Sequence, residues 1–361
     1  MLIWVNNKGE KAMLRIGIVG AGNIACNIHI PEINACPDGE LVALCDIDEA
    51  KLKAAGERFG IPEHMRFTDY NDLINCPEVD AVEVCTPNHL HVPIALAAVK
   101  AGKPVEVEKP LTTACNREME ELVAEIEKKN VVNMMCFSYR FKSAVRYAKH
   151  LIDEGKLGKI VNVNIEYLQS GVFIPGRRLE WRFVKEYAGS GTLGDLGVHL
   201  IDMTRFLLGE FKSVSALSAT VVKERRKLDS EEIAPVLVDD ITSFIAKLED
   251  DVIANFLVTK CAIGESNTIK YEIYGTEGVL KFNLNSPNEL TLCIGEIDRE
   301  TNSIHKVNVP AKYRLGQEEC FIKTALGNEF PYYPAITEGV KSQKIVDAVL
   351  KSAEEGRVVN L

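Results

Sequence analysis

Apolar residues follow two rhythms along the chain. From Leu14 to Ser138, short apolar runs alternate with stretches whose apolar positions recur at helical spacing. The runs are LRIGIVG (14–20), ELVALCD (40–46), DAVEVCT (80–86), PVEVEK (104–109) and VVNMMCFS (131–138). Short runs of this kind predict strands buried in a sheet. Between them 48–59, 89–102 and 113–130 predict helices, the last begun by a threonine. Strand–helix alternation makes βαβ units, and so a doubly wound parallel sheet with helices on both faces.

The rhythm changes after a helix expected at 140–154. Segments 160–169, 241–249 and 268–275 alternate with period two, and 252–260 reads as a partner strand reached through an Asp-Asp turn. These predict a large, open, mainly antiparallel sheet. A helix at 194–208 interrupts it, and 335–357 predicts a long amphipathic helix, either held in the second half or packed back on the first. The expected organisation is an extension at 1–12, a Rossmann domain at 13–138 and a second α/β domain at 139–361.

Composition narrows the function classes. At about 150 residues per domain, 361 residues suit two domains. A chain with 46% apolar and 26% charged residues is not disordered. Acidic residues outnumber basic ones 52 to 42, which argues against a nucleic-acid or membrane-surface ligand. The one compact basic run, Lys223-Glu224-Arg225-Arg226-Lys227, is expected on a solvated loop. The ten cysteines show neither C-x-x-C nor zinc spacing, and several sit in apolar runs. They read as free core thiols of a reducing compartment, with no metal site expected. The N-terminal stretch lacks a signal-peptide core, and no run approaches the ~18 apolar residues of a membrane span, so a cytoplasmic protein is expected.

Three segments carry candidate chemistry. Gly20-Ala21-Gly22-Asn23-Ile24-Ala25 follows the first strand, where glycines let a pyrophosphate approach the backbone at a helix start. The alternative is a plain strand–helix turn. Asp46 closes the second strand, placed to accept hydrogen bonds from an adenosine ribose, which favours NAD over NADP. It could instead cap the next helix, but Asp48 is better placed for that. Thr86, Asn88 and His91 follow the third strand, and Glu108-Lys109-Pro110 the fourth, at the strand ends where such sheets bind ligands. Lys109 is either a site residue or a surface lysine, and His91 either a ligand contact or a helix-start residue. In Gly194-Asp195-Leu196-Gly197-Val198-His199, Asp195 and His199 stand four apart, an acid beside an imidazole able to move a proton. The alternative is an exposed helix pair. The glycines at 189, 191, 194 and 197 imply close backbone approach to something. Asp202 is placed to orient His199.

On these segments, with CTPNHLHVPIALAAVKAGKPVEVEKP, SYRF, LEWR, GSGTLGDLGVHLID and YGTEGVLKF, the chain resembles the Gfo/Idh/MocA oxidoreductase family from Leu14 onward. The resemblance implies a Rossmann domain, a second α/β domain used for oligomerisation, and NAD as cofactor. It implies that Lys109 touches nicotinamide and substrate, that His199 is the general base, and that Asp195 holds the substrate and tunes charge. It places Glu108 near the nicotinamide ribose, and Tyr139, Arg140 and Arg182 along the cofactor or substrate cleft. The segment 168–180, with Arg177 and Arg178, departs from the family pattern, either shaping the substrate pocket or forming a solvated loop.

The expected activity is NAD-dependent oxidation of a secondary ring hydroxyl of a sugar, cyclitol or glycoside, with C3 of a glycoside as one position. Alternatives are glycoside cleavage with internally recycled NAD, and a non-catalytic NAD-sensing regulator. A metal-dependent enzyme would have only Asp195, His199 and Asp202 as ligands, a weak set.

Overall fold

The computed structural model describes residues 13–361, and the expected extension at 1–12 lies outside the described residues. The chain forms two compact units. The first is built from the chain up to Cys136 together with Leu315–Val340, the second from Phe137–Arg314 and Lys341–Leu361.

The first unit holds six strands: β1 (Leu14–Val19), β2 (Gly39–Cys45), β3 (Arg66–Phe67), β4 (Ala81–Val84), β5 (Val105–Val107) and β6 (Asn133–Met135). Their order is β3-β2-β1-β4-β5-β6, and every pairing is parallel. The order reverses beside β1, so the loops leaving β1 and β4 diverge and open a crevice at the carboxyl edge. Helix Glu49–Phe59 is capped by Asp48, whose carboxylate accepts from the Ala50 and Lys51 amides. The helix expected from 113 starts later, at Arg117, because Asn116 rather than the threonine supplies the cap, accepting from Met119 N. A segment that the pattern assigned to the second half returns here. Its helix Gln317–Ala325 lies against β2, where a Cβ on Gly39 would come within 2.5 Å of Ile322 Cδ1.

The second unit contains β7 (Ile160–Leu168), β8 (Phe211–Ala219), β9 (Glu224–Arg226), β10 (Ile233–Pro235), β11 (Ile241–Leu248), β12 (Ile253–Thr259), β13 (Thr268–Gly275), β14 (Gly278–Asn283), β15 (Glu289–Ile294), β16 (His305–Asn308) and β17 (Val359–Asn360). Nine of them form one sheet in the order β16-β15-β14-β13-β7-β12-β11-β8-β17. Only β12 and β7 pair in parallel. The period-two pattern is visible in burial: Thr242, Phe244, Ala246 and Leu248 of β11 are buried while Ser243, Ile245 and Lys247 are exposed. Helix Val198–Leu208 packs on the buried face, where Tyr271 of β13 donates to Leu200 O at 2.8 Å. The helix Ile336–Glu355 begins in the first unit, where Ile336 N donates to Asn133 Oδ1, and ends in the second, where Ser352 Oγ donates to Arg357 O.

The basic run 223–227 is not a solvated loop. Glu224–Arg226 is β9, paired with β10, and the Arg225 side chain is buried. Its guanidinium donates to Val172 O and Arg177 O and lies 4.3 Å from the Phe183 ring centre, so carbonyls and an aromatic face replace water. Arg177 donates to Gly171 O, and Arg178 to Lys227 O and Ser230 O. Arg178 thus ties the 168–180 segment to the β9–β10 hairpin, while Arg177 braces the segment internally.

Candidate active site

In the first unit Gly20, Asp46, Thr86 and Glu108 follow directly or closely on β1, β2, β4 and β5, at the same edge of the sheet. Gly20 has a φ of 102°, and a Cβ there would lie 2.6 Å from Cys85 O, so only glycine closes this turn. Above Gly22 nothing lies within 4 Å of a built Cβ, and Asn23 and Ile24 are exposed beside it. The chain then enters a wide π-helical turn, Ala25–His29, before helix Ile30–Ala35. The Asp46 carboxylate accepts from Ala21 N and Asp48 N, both at 2.9 Å, which ties it to the glycine turn. Ile47 is 87% exposed next to it, and the buried Thr86 Oγ has no hydrogen-bond partner in the protein. An open backbone cradle, an acid at the second strand end, an exposed apolar side chain and an unused hydroxyl fit a dinucleotide.

Glu108 and Lys109 form the next turn, closed by a cis Lys109–Pro110 peptide. The Lys109 amide donates to Glu108 Oε2 at 2.9 Å, and Glu108 Oε1 stands 2.9 Å from His29 Nε2. Burial works against charge on His29, but Glu83, Cys85 and Glu318 outweigh it and hold the ring well above its usual value. His91 does not serve as a cofactor contact. It is buried, with Nδ1 2.7 Å from Pro110 O and Nε2 2.7 Å from Thr86 O, so both ring edges are committed to the backbone. It braces the Thr86 loop against the Lys109–Pro110 turn. Burial lowers its pKa, and a neutral ring donates to only one of these carbonyls. Asn88 is buried in the short turn Asn88–Leu90.

The second unit gathers a separate group. The glycine-rich segment enters a second π-helical turn, Leu193–Gly197, ahead of helix Val198–Leu208. The closest approach in this segment is that of Gly191 to Asp239, while Gly194 is crowded by Ser190 Oγ and Gly197 by the Leu193 side chain. A Cβ on Gly191 would fall 2.0 Å from Asp239 O, while the Asp239 carboxylate accepts from Gly191 N, Leu193 N and Thr242 Oγ1. This clamp aims Asp195 and His199. Asp195 makes an ion pair with the buried Lys260 at 2.7 Å. The Tyr139 ring packs edge-on against His199 with centroids 4.7 Å apart. The Tyr139 hydroxyl lies 2.8 Å from that of Tyr167, which donates to Asn267 Oδ1, and Asn267 Nδ2 donates back to Tyr139. Burial and Tyr139 push the Tyr167 hydroxyl up, so it stays protonated and closes this ring of hydrogen bonds.

Lys260, Tyr167, Asn267 and Asp239 were not singled out from the sequence. Lys260 had a readable signal, since like Lys109 it is a lysine just beyond a strand end. Arg140 is not positioned as a substrate contact. It is buried and grips both oxygens of Asp202, at 2.7 and 2.5 Å, which also engages the carboxylate expected to orient His199. Removing one partner strands a buried charge, so Arg140→Leu should lower stability by about 3–5 kcal/mol in urea unfolding, with little change in substrate KM of the folded fraction. Arg182 lies in the second unit and stacks on Trp181, 4.4 Å from its ring centre.

Comparisons agree with this geometry. Residues 14–137 match the oxidoreductase family with an NAD-binding Rossmann fold, and 145–281 match a Gfo/Idh/MocA C-terminal domain. The chain is 33% identical over 331 residues to levoglucosan dehydrogenase of Pseudarthrobacter phenanthrenivorans, covering 87% of this chain and 81% of that protein. It is 27% identical to glucose-6-phosphate 3-dehydrogenase of Bacillus subtilis, covering 93% and 95%. A solved levoglucosan dehydrogenase in complex with NADH and levoglucosan superposes with a TM-score of 0.86 at 30% identity, over 96% of this chain and 99% of that one. Among the described residues no helix is long and apolar enough to cross a membrane. With the dinucleotide cradle, the Glu108–Lys109 turn and the Asp195–His199 group in place, the chain belongs to the Gfo/Idh/MocA oxidoreductase family, the NAD-binding dehydrogenases of sugars and cyclitols.

Proposed function

We propose that this chain oxidises a secondary ring hydroxyl of a sugar or sugar glycoside, at C3, to a ketone. The observation that carries this reading is the buried His199 imidazole beside Tyr139, in a group that also holds the Asp195–Lys260 ion pair. The relatives named for levoglucosan and for position 3 of glucose 6-phosphate support the substrate class and the carbon. NAD, when bound, supplies the hydride acceptor. Gly20, Gly22, Asn23, Ile24, Asp46, Thr86, Asn88 and Glu108 would hold it. His199 takes the hydroxyl proton, so that the carbon losing hydride does not keep positive character. Lys109 polarises a substrate oxygen. Asp195, neutralised by Lys260, accepts a sugar hydroxyl, and Tyr139 fixes the imidazole plane.

The test is single-turnover absorbance with stoichiometric enzyme and NAD on free hexoses, inositols, levoglucosan and aryl glycosides, followed by product analysis. A 3-ketosugar with reduced cofactor is expected. Oxidation at another carbon would refute the position, and a released sugar without net reduction would replace dehydrogenation by glycoside cleavage. Asp46→Ser removes the charge that accepts ribose hydroxyls and repels a 2′-phosphate. It should weaken NAD by about 10- to 100-fold and relax discrimination against NADP, read from KM for both.

We also propose a homo-oligomer joined through the open sheet. Leu217, Ile245 and Ile253, on neighbouring strands β8, β11 and β12, point from its uncovered face and are 77%, 53% and 41% exposed. Light scattering should give a dimer or tetramer at micromolar concentration, and a monomer there would refute it.

A further inference from the structure

Inside the first unit, glutamates from three elements converge on one histidine. Glu83 and Glu106 are paired residues of the adjacent strands β4 and β5, so their side chains leave the same face of the sheet. Glu318 comes from the returning helix Gln317–Ala325, and His29 from the wide turn after the glycine cradle. All four side chains are buried, Glu83 and Glu106 completely. Carboxylate oxygens of Glu83, Glu106 and Glu318 lie within 4.8 Å of one another. His29 Nδ1 stands 2.8 Å from Glu318 Oε1 and also touches Glu83 Oε1. One ring nitrogen carries at most one proton and cannot serve two carboxylates well by donation.

A second observation is independent of this clustering. Glu83 Oε2, Glu106 Oε2 and Glu318 Oε2 are each buried and meet no N–H, O–H or S–H donor, and Glu106 and Glu318 lie close enough to share a carboxyl proton. Among the described residues no lysine or arginine pairs with these three glutamates. Buried carboxylate oxygens left in that state are strongly unfavourable, and the single imidazolium of His29 does not balance three carboxylates.

We infer that Glu83, Glu106, Glu318 and the Nδ1 atom of His29 hold one divalent transition ion of the zinc kind, directly behind the Glu108–Lys109 turn. The opposite ring nitrogen supports the assignment. With the ion bound, Nε2 can donate to Glu108 Oε1, 2.9 Å away, while Nδ1 gives up its proton to coordinate, the way ligating histidines are held by an outer carboxylate. The Cys85 and Cys136 thiols donate to Glu83 and Glu106 at 3.7 and 3.4 Å, an outer layer around the donors. An imidazole among the donors favours zinc over magnesium or calcium. Without an ion, burial and Glu318 push Glu83 up to about 7 and Glu106 well above its usual range, so protons compete with metal for the same oxygens. The ion would anchor the strand end that carries Lys109. This inference does not depend on the sugar proposed above.

The test uses untagged full-length protein from zinc-supplemented medium. Its metal content is measured, the ion is stripped with dipicolinate, and the stripped protein is titrated with Zn2+ alone. Expected are about one equivalent per chain, one-to-one reloading by calorimetry, and a melting temperature that falls on stripping and returns on reloading. Glu106→Gln keeps the side-chain shape and removes one ligand charge. It should bind Zn2+ at least about tenfold more weakly. Should that variant not fold, the strip-and-reload measurement on the wild-type chain decides alone. Metal well below stoichiometry in the purified protein, with no one-to-one Zn2+ binding after stripping, overturns the site and leaves shared protons as its neutraliser. Zn2+ binding that survives unchanged in both Glu106→Gln and Glu83→Gln overturns it as well, because the ion then lies elsewhere.

Discussion

Lys109→Ala is expected to lower kcat by about 10³-fold or more while NADH still binds. The side chain leaves the carboxyl end of β5, and its own amide is pinned to Glu108, which is in turn held by His29. Removing the ammonium leaves that backbone in place, so the cradle from Gly20 to Thr86 keeps its shape. What is lost is a cation assigned both to position the reacting oxygen and to stabilise its developing negative charge. A general base alone typically contributes 10²–10⁴-fold, and positioning adds to it. The measurement pairs steady-state turnover with NADH fluorescence titration. Near-wild-type turnover would remove Lys109 from the chemistry. Lost NADH binding with residual turnover limited only by cofactor would make it a cofactor ligand instead.

His199→Asn should lower kcat by about 10²–10⁴-fold and also change the shape of the pH–rate profile. A base must be unprotonated to act, so wild-type activity should rise with pH through the titration of the base. In the variant that rise should vanish, because asparagine cannot take the proton. A purely structural role for the buried ring predicts something else, namely lower stability with the pH dependence intact. The packing of Tyr139 against the ring makes some loss of stability expected in either case. The profile therefore discriminates and the rate alone does not. Asn is preferred to Ala because it fills part of the space beside Tyr139.

These two residues were visible in the sequence because their neighbours are constrained. Lys109 follows an apolar run and precedes a proline, and His199 sits in a glycine-rich segment whose low helix propensity needs a reason. At Gly191 the reason is Asp239, 48 residues away along the chain, whose carbonyl leaves no room for a Cβ. Other residues were legible as unusual but not in role. Arg140 and His91 stand within or beside family motifs, yet Arg140 donates to both oxygens of Asp202 and His91 faces two backbone carbonyls. A motif gives a residue's place in the chain, while the direction of its side chain depends on which partners are buried with it. Lys223–Lys227 misled for the same reason: charge density suggested solvent, but carbonyls of a distant segment and a phenylalanine ring took in Arg225.

By itself the sequence determined the elements whose physics is local. Unbroken apolar runs specified the parallel strands, period-two runs the open sheet, Asp48 a helix cap, and Gly20 and Gly22 the cradle with Asp46 beside it. Very short elements such as β3 carried too few residues to show a period. Only the tertiary structure decided the contacts between distant segments. It brought 315–340 back to the first unit, set Lys260 against Asp195, gathered Glu83, Glu106 and Glu318, and put His29 against two of them. Those pairings are separated by tens to hundreds of residues and leave no periodic trace. They exist because burying a charge forces it to find a partner wherever the fold supplies one.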